Sequence, residues 1–185
     1  MNKLTQLILL LACIHFCHAG YSQESQGSAY PYSSEGGVTS LGFGIGLPYG
    51  AFGIRLGTNI TNGLNVFGGA GYQMAGLGYN VGLRKEFKSR THTQFFLSGM
   101  YGTNGVITVE GLDEYDKLYR GATVGLGIKL NSKSSDQTYW DLGLLLPFRP
   151  SQFYDDYDKV KNDPRIEGVT NPWPILITAG YNFNF

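Results

Sequence analysis

The chain has 185 residues, 14 basic against 14 acidic, with only 15% charged residues, 27 glycines, 13 tyrosines and 11 phenylalanines. This balance leaves no basic surface of the kind nucleic acid requires, and no apolar run of about 18 residues follows the N-terminal segment, which excludes a helical membrane span there. Once that segment is removed, roughly 165 residues remain, enough for one domain.

In chain order, Lys3 lies in a short positive leader, residues 4–17 are mostly apolar, and Ala19 precedes a polar stretch. The pattern predicts a secretory signal peptide over 1–19, too short and wrongly flanked for a transmembrane helix. A lipoprotein signal at Leu10, Leu11, Ala12 and Cys13 is the rival reading; the apolar Ile14, Phe16 and Cys17 that follow speak against it. Both cysteines fall in this segment, so the mature chain is expected to hold neither disulfides nor cysteine-ligated metal. Residues 20–37 are rich in Ser, Gln, Gly and Glu without periodicity and read as a flexible periplasmic leader.

Eight segments then alternate with period two, at 38–47, 51–60, 64–73, 76–87, 92–102, 119–130, 138–148 and 175–185. Most have about the length of a tilted transmembrane strand. One parity carries Phe43, Ile54, Leu77, Val81, Leu126 and Leu144; the other carries glycines with Arg55, Asn80, Arg84, Lys129 and Asp141. An Arg or Lys facing lipid at mid-membrane costs about 2–4 kcal/mol, so the glycine-rich and charged face must be the lumen. The expected fold is therefore all-β, a closed antiparallel eight-stranded up-and-down transmembrane barrel over 38–185. A soluble lipocalin-type barrel would reverse the two faces.

The connections agree with that topology. Those at 61–63, 88–91 and 131–137 are short and polar, as periplasmic turns should be. The long ones, about 103–118 and 149–173, fall on the outside as extracellular loops 3 and 4. Aromatic residues gather near both strand ends, Tyr72, Tyr101, Phe148 and Trp173 at one and Phe87, Phe95, Trp140 and Phe183 at the other, where interfacial rings settle.

The last segment places a polar Thr178, then Gly180, Phe183 and a terminal Phe185. This ending resembles the C-terminal assembly signal of bacterial outer-membrane β-barrel proteins, and the chain from 38 onward resembles the small OmpA/OmpX type. The resemblance implies Gly180, Phe183 and Phe185 as the signal read by a barrel-assembly machinery. It also implies a cell outer-membrane location in a didermal bacterium, lipid and lipopolysaccharide as surroundings, and a monomer.

The polar lumen residues form the candidate site: Arg84, Glu86, His92, Lys129 and Asp141 toward the inner end, with Arg55 higher. Opposite charges in a narrow, poorly solvated lumen must pair, and a salt-bridged plug that closes the barrel is the expected result. A gated pore for small solutes or a polar ligand site is the alternative.

No catalytic, cofactor-binding or metal site is read. The glycines at 42, 44 and 46 and at 76, 78 and 82 lie inside strand-period segments, whereas a dinucleotide site needs them to open a helix. His92 is the single histidine after the signal segment, and Ser98 sits higher on the same strand, so a serine–histidine hydrolase has no nucleophile beside its base. The loop carboxylates Glu110, Asp113, Glu114, Asp116, Asp155, Asp156, Asp158, Asp163 and Glu167 match no calcium-loop spacing. Interleaved with Tyr115, Tyr119, Tyr154 and Tyr157, they suggest a contact surface for an extracellular protein or glycan. The expected function is non-enzymatic: a structural or surface-interaction role through the outer loops, with a narrow solute channel or a part in a larger envelope machine as alternatives.

Overall fold

A computed structural model describes residues 38–185 other than 88, 133–136 and 167. The expected signal peptide and leader lie outside the described residues.

Eight antiparallel strands close into one barrel in sequence order. They are β1 (Thr39–Gly46), β2 (Ala51–Thr61), β3 (Leu64–Gln73), β4 (Gly76–Glu86), β5 (Thr93–Ile107), β6 (Lys117–Asn131), β7 (Thr138–Phe148) and β8 (Leu176–Asn184). Closure comes from β1 on β8, with Gly44 opposite Gly180 and Leu41 opposite Phe183. The Phe185 amide donates to the Thr39 carbonyl at 2.9 Å, continuing that seam past the end of β8. Closure of the ring pairs each strand with a neighbour on both sides along the middle of the wall.

The period-two pattern sets the faces as the sequence predicts. Phe52, Leu77, Val81, Leu126 and Ile177 point outward and are exposed, while Arg55, Asn80, Arg84, Lys129 and Asp141 point inward and are buried. Between these charges Leu47, Phe67, Met100 and Leu145 form a small apolar cluster inside the barrel. Side chains therefore fill the lumen, as an eight-stranded cross-section requires.

The two ends differ. At one, Asn62 and Gly63 make a tight turn in which Gly63 takes a φ of 75°, the kind of positive φ that hairpin turns favour. The opposite end carries the longer connections and more structure than the sequence suggested. β5 runs on to Ile107 and β6 starts at Lys117, so the expected loop 3 shrinks to residues 108–116 with a single 3-10 turn, η2 (Asp113–Tyr115). The ladder passes Asn104 through an irregularity between Thr103 and Gly105. Gly102, Gly105, Lys117 and Arg120 break the apolar alternation there, which is why the strands read as ending early. Loop 4 contains a helix, α1 (Ser151–Asn162), that period-two reading passed over.

Candidate functional site

The part of the lumen network centred on Asp141 grows from four strands and one turn. Arg55 comes from β2, Arg84 from β4, Asp141 and Tyr139 from β7, and Asn182 from β8. Between β1 and β2 the short 3-10 turn η1 (Leu47–Tyr49) folds inward rather than out, and its Tyr49 is wholly buried. Gly46 and Gly50, with φ of 104° and 67°, let the chain enter and leave this turn, a conformation L-residues with a Cβ seldom adopt. A Cβ on Gly44 or Gly180 would strike the Tyr49 ring, so the absence of side chains on β1 and β8 makes the ring's pocket.

Asp141 is the centre of this arrangement. Its Oδ2 lies 2.9 Å from Arg55 Nη1 and 2.8 Å from Arg84 Nη1. Tyr49 donates its hydroxyl to the other oxygen at 2.7 Å. The Asn182 amide nitrogen donates to the Tyr49 hydroxyl at 3.2 Å, and Arg55 Nη2 donates to Asn182 Oδ1 at 2.9 Å and to the Tyr139 hydroxyl at 3.1 Å. A second pair, Lys129 with Glu86 at 3.0 Å, completes the set. Arg55 and Asp141 are each only 1% exposed.

Three cations thus meet two carboxylates, and aromatic faces take up the excess. The Arg84 guanidinium sits 4.0 Å from the Phe96 ring centre, Arg55 lies 5.4 Å from that of Tyr49, and Lys129 Nζ lies 4.2 Å from that of Tyr139. Such contacts stabilise desolvated cations through the ring quadrupole, by about 2 kcal/mol or more when fully desolvated.

Of the six lumen residues expected from sequence, Arg55, Arg84, Glu86, Lys129 and Asp141 come together and His92 does not. His92 is exposed in the bend before β5, where its backbone carbonyl accepts from Asn131. One residue earlier than the strand, it follows the turn rather than the wall's alternation. Ser98 is buried and donates to the Gly125 carbonyl at 3.4 Å. The sequence reading missed Tyr49 and Tyr139. For Tyr49 a signal exists: the connection Leu47, Pro48, Tyr49 is apolar, bracketed by glycines, and too hydrophobic for an exposed turn. Gly180 faces inward under Tyr49, while Phe183 and Phe185 face outward, Phe185 at 72% exposure.

Outside the wall, α1 and the β5–β6 extension build a cap with its own core of Ile107, Tyr119, Phe153 and Val160. Phe153 meets Tyr119 edge-to-face at 5.2 Å. Phe153, Asp156 and Val160 share the buried helical face, with spacings of one and two turns. Asp156 accepts from Lys159 at 2.8 Å, from the Tyr119 hydroxyl at 2.8 Å and from Lys117 at 3.2 Å. These donors, Lys159 first, hold its carboxyl down at about 2. Asp163 accepts from the Tyr115 hydroxyl at 2.6 Å and pairs with Arg165 at 2.7 Å; hydrogen bonding from Arg165 keeps it well below the usual carboxylate range. The tyrosines expected to form a contact surface are in large part used here as cap core and hydrogen-bond donors, while Tyr154 stays exposed.

No family model and no curated protein matches the chain. Among solved structures it is similar to the N-terminal β-barrel domain of Pseudomonas aeruginosa OprF, at 15% identity and a TM-score of 0.49, covering 82% of this chain and 100% of that one.

Two outcomes follow from this geometry. Asp141→Ala leaves Arg55 and Arg84 buried without their carboxylate and should destabilise the barrel by about 3–5 kcal/mol. Replacing all three together (Arg55→Met, Arg84→Met, Asp141→Leu) should restore most of that loss; equilibrium urea unfolding of barrels refolded in lipid vesicles measures both. For the cap, the depressed carboxyls contribute stability that is complete above the ordinary carboxylate pKa of about 4 and falls away as pH drops toward 2. Amide hydrogen exchange in α1 should be unchanged from pH 7 to 5 once corrected for intrinsic rate, then accelerate between about pH 4 and 2.

Proposed function

We propose that the chain is an integral barrel of a bacterial outer membrane with a closed lumen, acting non-enzymatically as a structural element that presents its cap at the cell surface. One observation carries this reading: charge is inside and hydrocarbon outside. Ion pairs are buried along the axis while the outward face shows Leu77, Val81, Leu126, Leu144 and Ile177 to the surroundings. In water that outer belt would drive association. In lipid it is the face that a spanning barrel needs, and closure of the ring pairs the strands' backbones with one another along the wall.

An even strand count returns both ends of the barrel to one side. The short turns then face the periplasm and the cap faces outward, as in barrels of this class. A signal peptide over residues 1–19 would direct the chain across the inner membrane and then be removed. Gly180, Phe183 and Phe185 would address the barrel-assembly machinery, with Gly180 serving a second need, space for Tyr49. A closed wall with lipid and lipopolysaccharide around it suits a monomer. The filled lumen favours this structural role over a solute channel, and the residual exposure of Tyr154 and Trp173 favours contacts at the cap with an extracellular protein or glycan.

Spin labels test the placement. In lipid vesicles, labels at Leu126→Cys and Leu144→Cys should relax with dissolved oxygen and resist a water-soluble nickel chelate, while Tyr154→Cys should do the opposite. Chelate access at Leu126 would refute the membrane reading.

A further inference from the structure

At the capped end a pocket of about 430 Å³ opens between η1, the β3–β4 turn and the start of β8. Its volume lies in the range of small-molecule sites, and its lining is mostly apolar with a few polar groups, the composition such sites have. The lining crosses the barrel rim. Ile45, Phe52 and Ile177 belong to the outward belt, whereas Leu47, Gln73 and Leu176 lie on the inward side. The mouth of the pocket is therefore bordered by residues of the outward belt.

The polar part of the lining is a cation and two acceptors. Arg149 follows β7, donates through Nη2 to the Trp173 carbonyl at 2.9 Å, and lies 5.2 Å from the Phe153 ring centre. Its Nε is shielded from solvent with no hydrogen-bond partner, and so are Gln73 Oε1 and Asn104 Oδ1. The Asn104 amide nitrogen is already committed to the Ala122 and Phe148 carbonyls at 3.1 and 3.2 Å, which fixes its oxygen as the acceptor. Arg149 is half-exposed in the pocket lining, and its guanidinium, with N–H groups beyond the one given to Trp173, is complementary to a carboxylate or phosphate oxygen on an alkyl chain, since charge-assisted bonds are the strong ones.

We propose that this pocket binds a single-chain anionic amphiphile, with the acyl chain entering past Ile45 and Ile177 and the anionic head held by Arg149. Access from the lipid side rests on the membrane placement proposed above; the pocket and its cation do not.

The test uses the full chain in nanodiscs, with a spin-labelled stearic acid and its methyl ester as probes. Insertion, read by heat-shifted gel mobility, comes first: failure there counts against the membrane placement, while failure to bind in an inserted barrel counts against the pocket. The acid should give one saturable, motionally restricted label per barrel, above the population of boundary lipid. Arg149→Gln should weaken the acid roughly tenfold or more, as loss of a charge-assisted bond implies, and leave the ester unchanged. Val106→Trp, which places an indole in the pocket lining, should remove the restricted component for both probes. Should that variant not insert, the acid-against-ester comparison in Arg149→Gln decides alone. A wild-type barrel with no saturable component, or an Arg149→Gln barrel that binds acid as well as wild type, overturns the proposal.

Discussion

A buried carboxylate between two buried guanidiniums governs this molecule. Asp141 reaches Arg55 and Arg84 within 3 Å of each, and the three come from β7, β2 and β4, well apart around the wall. Each charge is costly to take out of water alone, so the strands that carry them are stable only in the register that brings them together. That register also aims Tyr49 at the free oxygen of Asp141, and Tyr49 in turn needs the bare backbone at Gly44 and Gly180. Ion pairs, inward turn and glycine stripes are one solution to one constraint: the inside of an eight-stranded barrel must be filled.

Much of this was legible in the sequence, for a definite reason. A strand's period of two cannot hide which face carries Arg84 and which carries Leu83, so wall, lumen and closure could be read from alternation. The pairing partners could be anticipated as a set but not individually, because the stagger of strands around the barrel decides that Asp141 of β7 meets Arg55 and Arg84 while Glu86 of β4 meets Lys129 of β6. His92 was misplaced because it sits where alternation ends and the turn begins. Tyr49 escaped because a four-residue connection is ordinarily a surface turn, and only its hydrophobicity hinted otherwise. At the capped end, glycines and charges interrupt the period in 103–107 and 117–120, so strand extension looked like loop. The helix over Ser151–Asn162 shows its apolar positions at 153, 157 and 160, a helical spacing that stands out once strands are no longer assumed.

The two ends divide the work. The ion-pair network occupies the lumen, where it fixes register, while the cap rests on a separate core around Phe153 and on exposed or half-exposed ion pairs that salt and acid weaken. In the lumen, Phe67, Met100 and Leu145 pack as an apolar cluster among the charges.

Single-channel recording in planar bilayers bears most directly on the central claim, that buried ion pairs close the lumen. The wild-type barrel should insert, shown by protease-protected strands, and yield no conductance steps across the range of voltages a membrane sustains. Stable, reproducible steps from the wild-type protein, reduced by changing Arg55 or Arg84 to leucine, would contradict that claim and make the network a selectivity element instead of a plug.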